Sequence, residues 1–186
     1  MIKTARQTVG LLLVPFLVTA ASCADAPASG FVDFGKFAAP SSGGEFVEVN
    51  VKSNLISMVA RLAKASEPEV ADVLKGLHAV RVNVIGLDDK NRAEVQERIA
   101  KVRAELEAKG WERVVTAQKK GEDVGVYVKT RADEAVEGVV VTVLQGDREA
   151  VLVNVVGDIQ PEKLAVIGER FDIEPLKKVG AKVKKS

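Results

Sequence analysis

Few side chains in this sequence could perform nucleophilic or metal-dependent chemistry. Its 186 residues include one histidine, His78, and one cysteine, Cys23. A serine nucleophile needs a general base beside it, and a zinc site needs three or four suitable ligands. His78 stands at the start of a predicted strand, where a structural role is the usual one. The common phosphate-binding and metal-binding motifs are also missing, so the sequence predicts no enzyme, no metal site and no cofactor.

Three pairs of neighbouring acids are the remaining candidates for acid–base chemistry. They are Asp88/Asp89, Glu122/Asp123 and Asp133/Glu134. Each pair falls at a predicted turn or helix start, where carboxylates cap backbone N–H groups or face solvent. Because acids from distant positions can still meet in a fold, an unrecognised hydrolase stays open as an alternative. It would require a cleft that joins two acids, or one that joins His78 to a hydroxyl group.

Cys23 has a setting that predicts covalent modification. Basic residues near the start precede an apolar run over residues 8–18, and small residues then lead into the cysteine. This order is typical of a secretory signal peptide, here residues 1–22. The stretch Ala20-Ala21-Ser22-Cys23 resembles a bacterial lipobox, whose cysteine sulfur is alkylated by a diacylglyceryl group. Ordinary signal-peptidase cleavage after Ala24 is the alternative, but it leaves a lone exported cysteine without a disulfide partner.

The signal also predicts where the protein is held. The uncharged stretch from Gln7 to Ser22 is interrupted by Pro15, and it is shorter than the roughly 20 apolar residues that a membrane span needs. We therefore expect an exported protein of the cell envelope that is attached by its N-terminal lipid. Ala24, and not aspartate, follows Cys23, which favours the outer membrane, facing the periplasm, over the inner membrane. A soluble periplasmic or secreted protein is the alternative.

The charge balance argues against nucleic acid as a partner. The chain has 27 basic and 26 acidic residues, and residues 1–22 contain Lys3 and Arg6 but no acid. Removal of the signal peptide leaves 25 basic and 26 acidic residues, a net charge of −1. Nucleic-acid binding generally depends on a basic surface that displaces counterions. The partners we expect are a membrane, through the lipid, and a protein of the cell envelope.

The mature chain divides into a tether, one domain and a short tail. Residues 23–44 are rich in alanine, glycine, serine and proline, as a linker would be. They include an aromatic segment, residues 31–37, which either docks on the domain or presents its rings to a partner or to lipid headgroups. The rings belong to Phe31, Phe34 and Phe37. We favour docking, because exposed aromatic clusters are uncommon. Residues 45–180 form a single domain, and residues 181–186 are a basic tail.

The first part of the domain is predicted to be a strand followed by two helices. Valines alternate along residues 45–51, which is typical of a half-buried strand. A helix capped at Ser53 or Asn54 follows, and Pro68 begins a second helix. We expect the apolar side chains of the first helix to point into the core: Leu55, Ile56, Met58, Val59 and Leu62. Residues 80–85 are rich in β-branched side chains and predict another strand.

The rest of the domain predicts one long helix and an antiparallel sheet. The helix begins at Asp88 or Asp89 and ends before Gly110. Its apolar stripe consists of Val95, Ile99, Val102 and Leu106. Four valine-rich runs joined by short polar connections follow, at residues 111–118, 124–129, 139–144 and 151–156. Pro161 marks a further helix start. We therefore predict an α+β fold of two layers, a mostly antiparallel sheet of five or six strands with helices packed on one face.

Three stretches carry a family resemblance. They are Phe31-Val32-Asp33-Phe34-Gly35, Glu48-Val49-Asn50-Val51, and the run from Val153 to Leu164. On these residues the chain resembles a family of exported bacterial proteins that is catalogued as a domain of unknown function (number 4252). The resemblance implies a lipoprotein or secreted protein, and some members are encoded near extracytoplasmic-function sigma factors and their anti-sigma partners. It carries over no functional residues.

These observations predict a non-enzymatic cell-envelope lipoprotein that acts as an interaction or envelope-sensing module. The resemblance implies a link to sigma and anti-sigma signalling. The alternative is a periplasmic binding protein for a lipid or another apolar ligand, since the strands at 139–144 and 151–156 are apolar on both faces. That alternative requires an enclosed cavity of about 300 Å³ or more.

Overall fold

A six-stranded sheet forms the centre of the protein. The computed structural model describes residues 28–131, 135–160 and 163. In chain order the elements are β1 (Phe46–Lys52), α1 (Ser53–Ala63), α2 (Pro68–Lys75), β2 (Leu77–Gly86), α3 (Arg92–Ala108), β3 (Glu112–Lys119), β4 (Glu122–Arg131), β5 (Ala135–Gln145) and β6 (Glu149–Ile159). Cys23, the predicted signal peptide, the predicted helix start at Pro161 and the basic tail lie outside the described residues.

The sheet is antiparallel throughout, in the strand order β1-β2-β6-β5-β4-β3. Strands β3 to β6 form a meander, as their short polar connections predicted, and β2 extends it by pairing with β6. β1 pairs with β2 from Phe46 opposite Ile85 to Lys52 opposite Ala79, and it forms one edge of the sheet. β3 forms the other edge. The predicted α+β class and antiparallel sheet are confirmed.

The two faces of the sheet have different cores. The first, which we call the valine face, buries Val124, Val126, Val128, Val136, Val139, Val141, Val153 and Val155. Ile56 of α1 and Val73 of α2 are buried with them. The second, which we call the α3 face, buries larger side chains, including Ile85, Tyr127, Val140 and Leu152, together with the apolar side of α3.

The helices therefore lie on both faces, whereas the sequence predicted a two-layer arrangement with helices on one. The reason is visible in β5, where Val139 and Val141 belong to the valine face and Val140 belongs to the α3 face. Successive side chains of a strand point to opposite faces. A strand that is apolar at consecutive positions must consequently be covered on both sides.

α3 supplies most of the helical cover on its face, with the predicted stripe buried: Val95, Ile99, Val102 and Leu106. The helix begins at Arg92, later than the predicted Asp88 or Asp89. The residues before it form a hydrogen-bonded turn, in which Asp88 Oδ1 accepts the Asn91 N–H at 2.9 Å. Asn91 Oδ1 accepts the Asp88 N–H at 2.8 Å in return. This turn positions α3 after β2.

Asp88 is the carboxylate on which the start of α3 depends. Besides the Asn91 N–H, it accepts hydrogen bonds from the Lys90 N–H at 2.9 Å and from the Ser41 hydroxyl at 3.1 Å. The hydrogen bonds, above all that from the Asn91 N–H, lower the pKa of Asp88 to about 2. A carboxyl group whose pKa is lower in the folded state stabilises the fold above its ordinary pKa, near 4. That contribution is lost as the pH falls towards 2.

We expect Asp88→Ala to lower the free energy of unfolding at neutral pH, because several N–H and O–H donors lose their acceptor. The difference from the unsubstituted chain should shrink between about pH 4 and pH 2, where Asp88 takes up its proton. Urea unfolding at a series of pH values measures this. Asp89→Ala is the matched control, since the Asp89 side chain is almost fully exposed and its ion pair with Arg92, at 3.5 Å, is the one it makes among the described residues. Equal effects of the two substitutions at neutral pH would contradict the assignment.

Candidate functional site

Most of the exposed apolar side chains lie in one stretch of the chain. Of the seven large apolar side chains that are exposed among the described residues, six belong to β1 and α1. They are Val47, Val49, Leu55, Met58, Val59 and Leu62, which we call the β1–α1 apolar surface. The seventh is Phe31. Contiguous exposed apolar surface on a folded domain is typical of an interaction site.

The helical part of this surface follows from how α1 packs. Residues 55, 58, 59 and 62 are spaced by three and four positions, so their side chains form one stripe along the helix. α1 packs against α2 and buries only Ile56 and Ala60, so the stripe lies on the side that no described element covers. Leu62 is 74% exposed. The prediction that the stripe points into the core is therefore correct for Ile56 and wrong for the other four residues.

β1 extends the surface along the edge of the sheet. Val47 and Val49 lie on the valine face, and they are 37% and 39% exposed. Their strand pairs with β2 on one side and with no described strand on the other. The N–H and C=O groups along that free side can accept a further strand.

The charges next to α1 are basic. Arg61 is the one charged residue within the helix, and Lys52 and Lys64 flank it. On β1 the side chains of the opposite face alternate with the valines and include Glu48 and Asn50. The surface thus combines an apolar stripe and an open strand edge with charged groups of both signs at its margin.

The aromatic segment lies on the α3 face. Phe34 is 1% exposed and packs in the same core as α3, and Phe37 is half-buried against that core. Phe31 is 39% exposed. The rings at positions 31, 34 and 37 therefore differ in environment, and only Phe31 has its ring substantially open to solvent.

Two buried polar side chains of the sheet hold this segment. The Asn154 side chain in β6 accepts the Val32 N–H at 2.9 Å and donates to the Gly30 carbonyl oxygen at 3.0 Å. Arg81 in β2 donates to the Val32 carbonyl oxygen at 3.0 Å, and its guanidinium carbon lies 5.1 Å from the centre of the Phe31 ring. Both side chains are buried. The sequence does carry a signal for them, since each is a polar residue inside a valine-rich strand.

His78 is exposed, and it lines an open cleft of about 550 Å³ at the start of β2. Two acids of this cleft already have cationic partners: Asp72 contacts Lys163 at 2.5 Å, and Asp158 contacts Arg131 at 2.9 Å. The hydrogen bond from Lys163 lowers the pKa of Asp72, which favours its charged form. Among the described residues that line the cleft, none carries a hydroxyl group. The cleft thus brings His78 together with two acids whose charges are already paired with cations.

Sequence reasoning missed a polar cluster beneath α3. Arg103 of α3 donates through Nε to the Thr142 hydroxyl at 2.9 Å and through Nη1 to Asp123 at 2.7 Å. Thr142 is fully buried, as is the neighbouring Tyr127, and burial raises the pKa of the Tyr127 hydroxyl. A threonine within the valine run of β5 is the signal that could have revealed the cluster. Its geometry joins α3 to β4 and β5.

The acid pairs have separate structural settings. Asp88 and Asp89 precede α3, and Glu122 and Asp123 begin β4, while residues 133 and 134 lie outside the described part of the chain. Within the described ranges, no group of three or more histidine, cysteine, aspartate or glutamate side chains is placed to hold a metal ion. Nor does any described helix have the length and apolar character needed to cross a membrane.

A second cleft lies between the aromatic segment and α3. Its volume is about 300 Å³, and it is partly open to solvent. Apolar side chains that include Phe31, Leu106 and Trp111 line it together with charged ones, among them Lys109 and Lys129. This mixture suits a small amphipathic molecule better than a wholly apolar one.

Comparison with known proteins identifies the family. The family model described as "Domain of unknown function (DUF4252)" matches residues 42–167, and the chain belongs to this family. The match covers all six strands and all three helices described above and begins after the aromatic segment. Neither a curated protein nor a solved structure matches the chain.

We expect Phe34→Ala to lower the free energy of unfolding by about 3–5 kcal/mol, because it removes a buried ring and leaves a cavity. Phe31→Ala is the matched control and should cost clearly less, since its side chain is 39% exposed and lines an open cleft, so its removal leaves no enclosed cavity. Denaturant unfolding of both variants measures the difference. If the two substitutions cost the same, Phe34 does not anchor the aromatic segment in the core.

Proposed function

We propose that this member of the DUF4252 family is a non-enzymatic lipoprotein of the cell envelope that works as an interaction module. In this proposal Cys23 carries the lipid, and the domain faces the periplasm, at the outer membrane in preference to the inner one. The β1–α1 apolar surface binds a protein of the envelope. The family resemblance adds a link to sigma and anti-sigma signalling, in which the domain would sense a change in the envelope.

One observation carries the proposal, namely the exposure of four large apolar residues on a single side of α1. Full burial of an apolar side chain of this size is worth about 1.5–3 kcal/mol relative to full exposure, so covering these side chains, which are 46–74% exposed, is worth a part of that for each. A free-standing domain gains nothing from such a stripe, whereas a domain that associates with a partner recovers this free energy on binding.

The docked aromatic segment supports a position close to the membrane. Hydrogen bonds join Gly30 and Val32 to the sheet. Only residues 24–27 separate Cys23 from the first described residue, Ala28. Five extended residue steps span at most about 18 Å. A lipid at Cys23 would therefore hold the domain within that distance of the bilayer surface, where its partner would also have to be.

Binding of a small amphipathic ligand is the second candidate function. The cleft of about 300 Å³ beside the aromatic segment favours it, because apolar side chains line the same space as two lysines and two acids, Asp33 and Glu105. An apolar part of the ligand would contact Trp111 and Leu106, and a polar headgroup would lie among the charged side chains of the cleft. This candidate uses a different surface from the β1–α1 apolar surface, so the two functions are separable by substitution.

The lipid anchor is tested by growing cells that express the chain with a palmitate analogue. We expect the label to enter the unsubstituted protein and to be absent from Cys23→Ser, since the thiol is the acceptor. The unsubstituted protein should sediment with the outer membrane, and the variant should be released or retained unprocessed. Equal labelling of both proteins rejects lipidation at Cys23.

The interaction surface is tested with a photo-reactive residue at Leu55 in living cells. We expect a crosslink to an envelope protein, and we expect the double variant Met58→Glu/Leu62→Glu to abolish it. Both substitutions are on exposed positions, so the free energy of unfolding should change by less than about 1 kcal/mol. The same probe at Gln96, which is exposed on α3, is the control. Crosslinks of equal yield from both positions, or none from Leu55, would refute the assignment of this surface.

A further inference from the structure

We propose that the protein bound at the β1–α1 apolar surface is a second copy of this chain. The two copies pair their β1 strands antiparallel, with Val49 opposite Val49. The inference rests on the proposed function, because it names the partner of the same surface. It converts two six-stranded sheets into one continuous sheet of twelve strands.

The first argument is the difference between the two edges of the sheet. β1 pairs with β2 over seven consecutive residues without an irregularity, so its outer side is regular as well. β3 has a register shift between Arg113 and Val115, and Glu112 and Lys119 lie at its ends. Bulges and charges are the usual means by which an edge strand avoids pairing. Both edge strands carry charged residues, but only β3 also has a register shift, whereas β1 is regular and exposes Val47 and Val49 along one face.

The second argument is that β1 complements itself. A two-fold axis at Val49 keeps the valines of both strands on one face, because directly opposite residues share a face. Val47 then lies opposite Val51 of the second copy. On the other face Glu48 lies opposite Asn50 of the second copy and diagonally across from both its Lys52 and its Glu48. The axis generates the opposite-charge Glu48–Lys52 contact twice and the like-charge Glu48–Glu48 contact once, so favourable pairs predominate. Long side chains reach such a diagonal neighbour, and opposite charges there are favourable.

The third argument is that this register places α1 next to apolar surface. Val51, opposite Val47 of the second copy, comes two residues before Ser53, where α1 begins. The exposed stripe of α1 in one copy therefore lies beside the exposed Val47 of the other. One interface thus covers residues of both the strand and the helix, whereas contact of α1 with a bilayer would leave the strand edge open.

The charge contact is tested by substitution. The chain is produced with its export signal and with Cys23→Ser, which removes the thiol without altering any described residue. We expect a dimer by light scattering. Glu48→Lys alone or Lys52→Glu alone should raise the dissociation constant about tenfold, since each sets like charges diagonally across the axis twice. The double variant Glu48→Lys/Lys52→Glu restores opposite charges, and its dissociation constant should return close to the original value.

The register is tested by cysteine crosslinking in the same Cys23→Ser chain. Val49→Cys should form an intermolecular disulfide on mild oxidation, because directly opposite Cα atoms lie about 4.5–5.5 Å apart. Glu48→Cys is the matched control. The two cysteines that it introduces into the dimer are offset along the strands by two residues, so their Cα atoms lie about 8 Å apart, beyond the reach of a disulfide. Circular dichroism of each variant confirms that it is folded.

Several results would overturn the inference. If the protein is a monomer at every concentration, the second copy is excluded as the partner. A dimer whose dissociation constant is unchanged by both Glu48→Lys and Lys52→Glu excludes the proposed pairing of the β1 strands. Binding of the monomer to phospholipid vesicles, abolished by Met58→Glu/Leu62→Glu, identifies a membrane as the occupant instead. The proposed function is tested separately. If the protein is a monomer but still crosslinks from Leu55 to another envelope protein, the proposed interaction function stands. If no crosslink from Leu55 forms in cells, that function is refuted as well.

Discussion

The structure depends on a sheet that is apolar on both faces. In β4, β5 and β6 the apolar side chains occupy consecutive positions, so neither face of the central strands can be left in water. α3 and the aromatic segment cover one face, and α1 and α2 contribute to the other. Two features follow directly. The segment before β1 is part of the core, and the helices are divided between the faces.

The cover over the α3 face is fixed by polar contacts as well as by burial. Phe34 supplies apolar contact, but Asn154 and Arg81 set the position of the backbone around it through three hydrogen bonds. Buried polar groups of this kind cost free energy when they lose their partners. The segment that leads towards Cys23 is consequently joined to the second and sixth strands.

The sequence predicted those helices and strands whose pattern of apolar residues is compatible with only one arrangement in the fold. The α3 stripe and the valine-rich runs are examples, because burial on one side of a helix or along a strand leaves a repeating pattern. The α1 stripe shows the limit. Its spacing indicates an apolar helix side, but the same spacing arises whether that side is covered by the chain itself or by a partner. Asn154 and Arg103 were missed because their partners are distant in sequence.

α1 also shows how one helix can serve the core and a surface together. Ile56 and Ala60 bury one side, and the stripe that includes Leu55 and Leu62 occupies the adjoining side. The stripe is therefore continuous with the core of the valine face and is not an isolated exposed patch. A partner bound there, as proposed above, would extend that core across the interface, in the way that obligate interfaces resemble a core cut in half. Because α1 begins at Ser53, directly after β1 ends at Lys52, the apolar stripe and the open strand edge are adjacent parts of one surface.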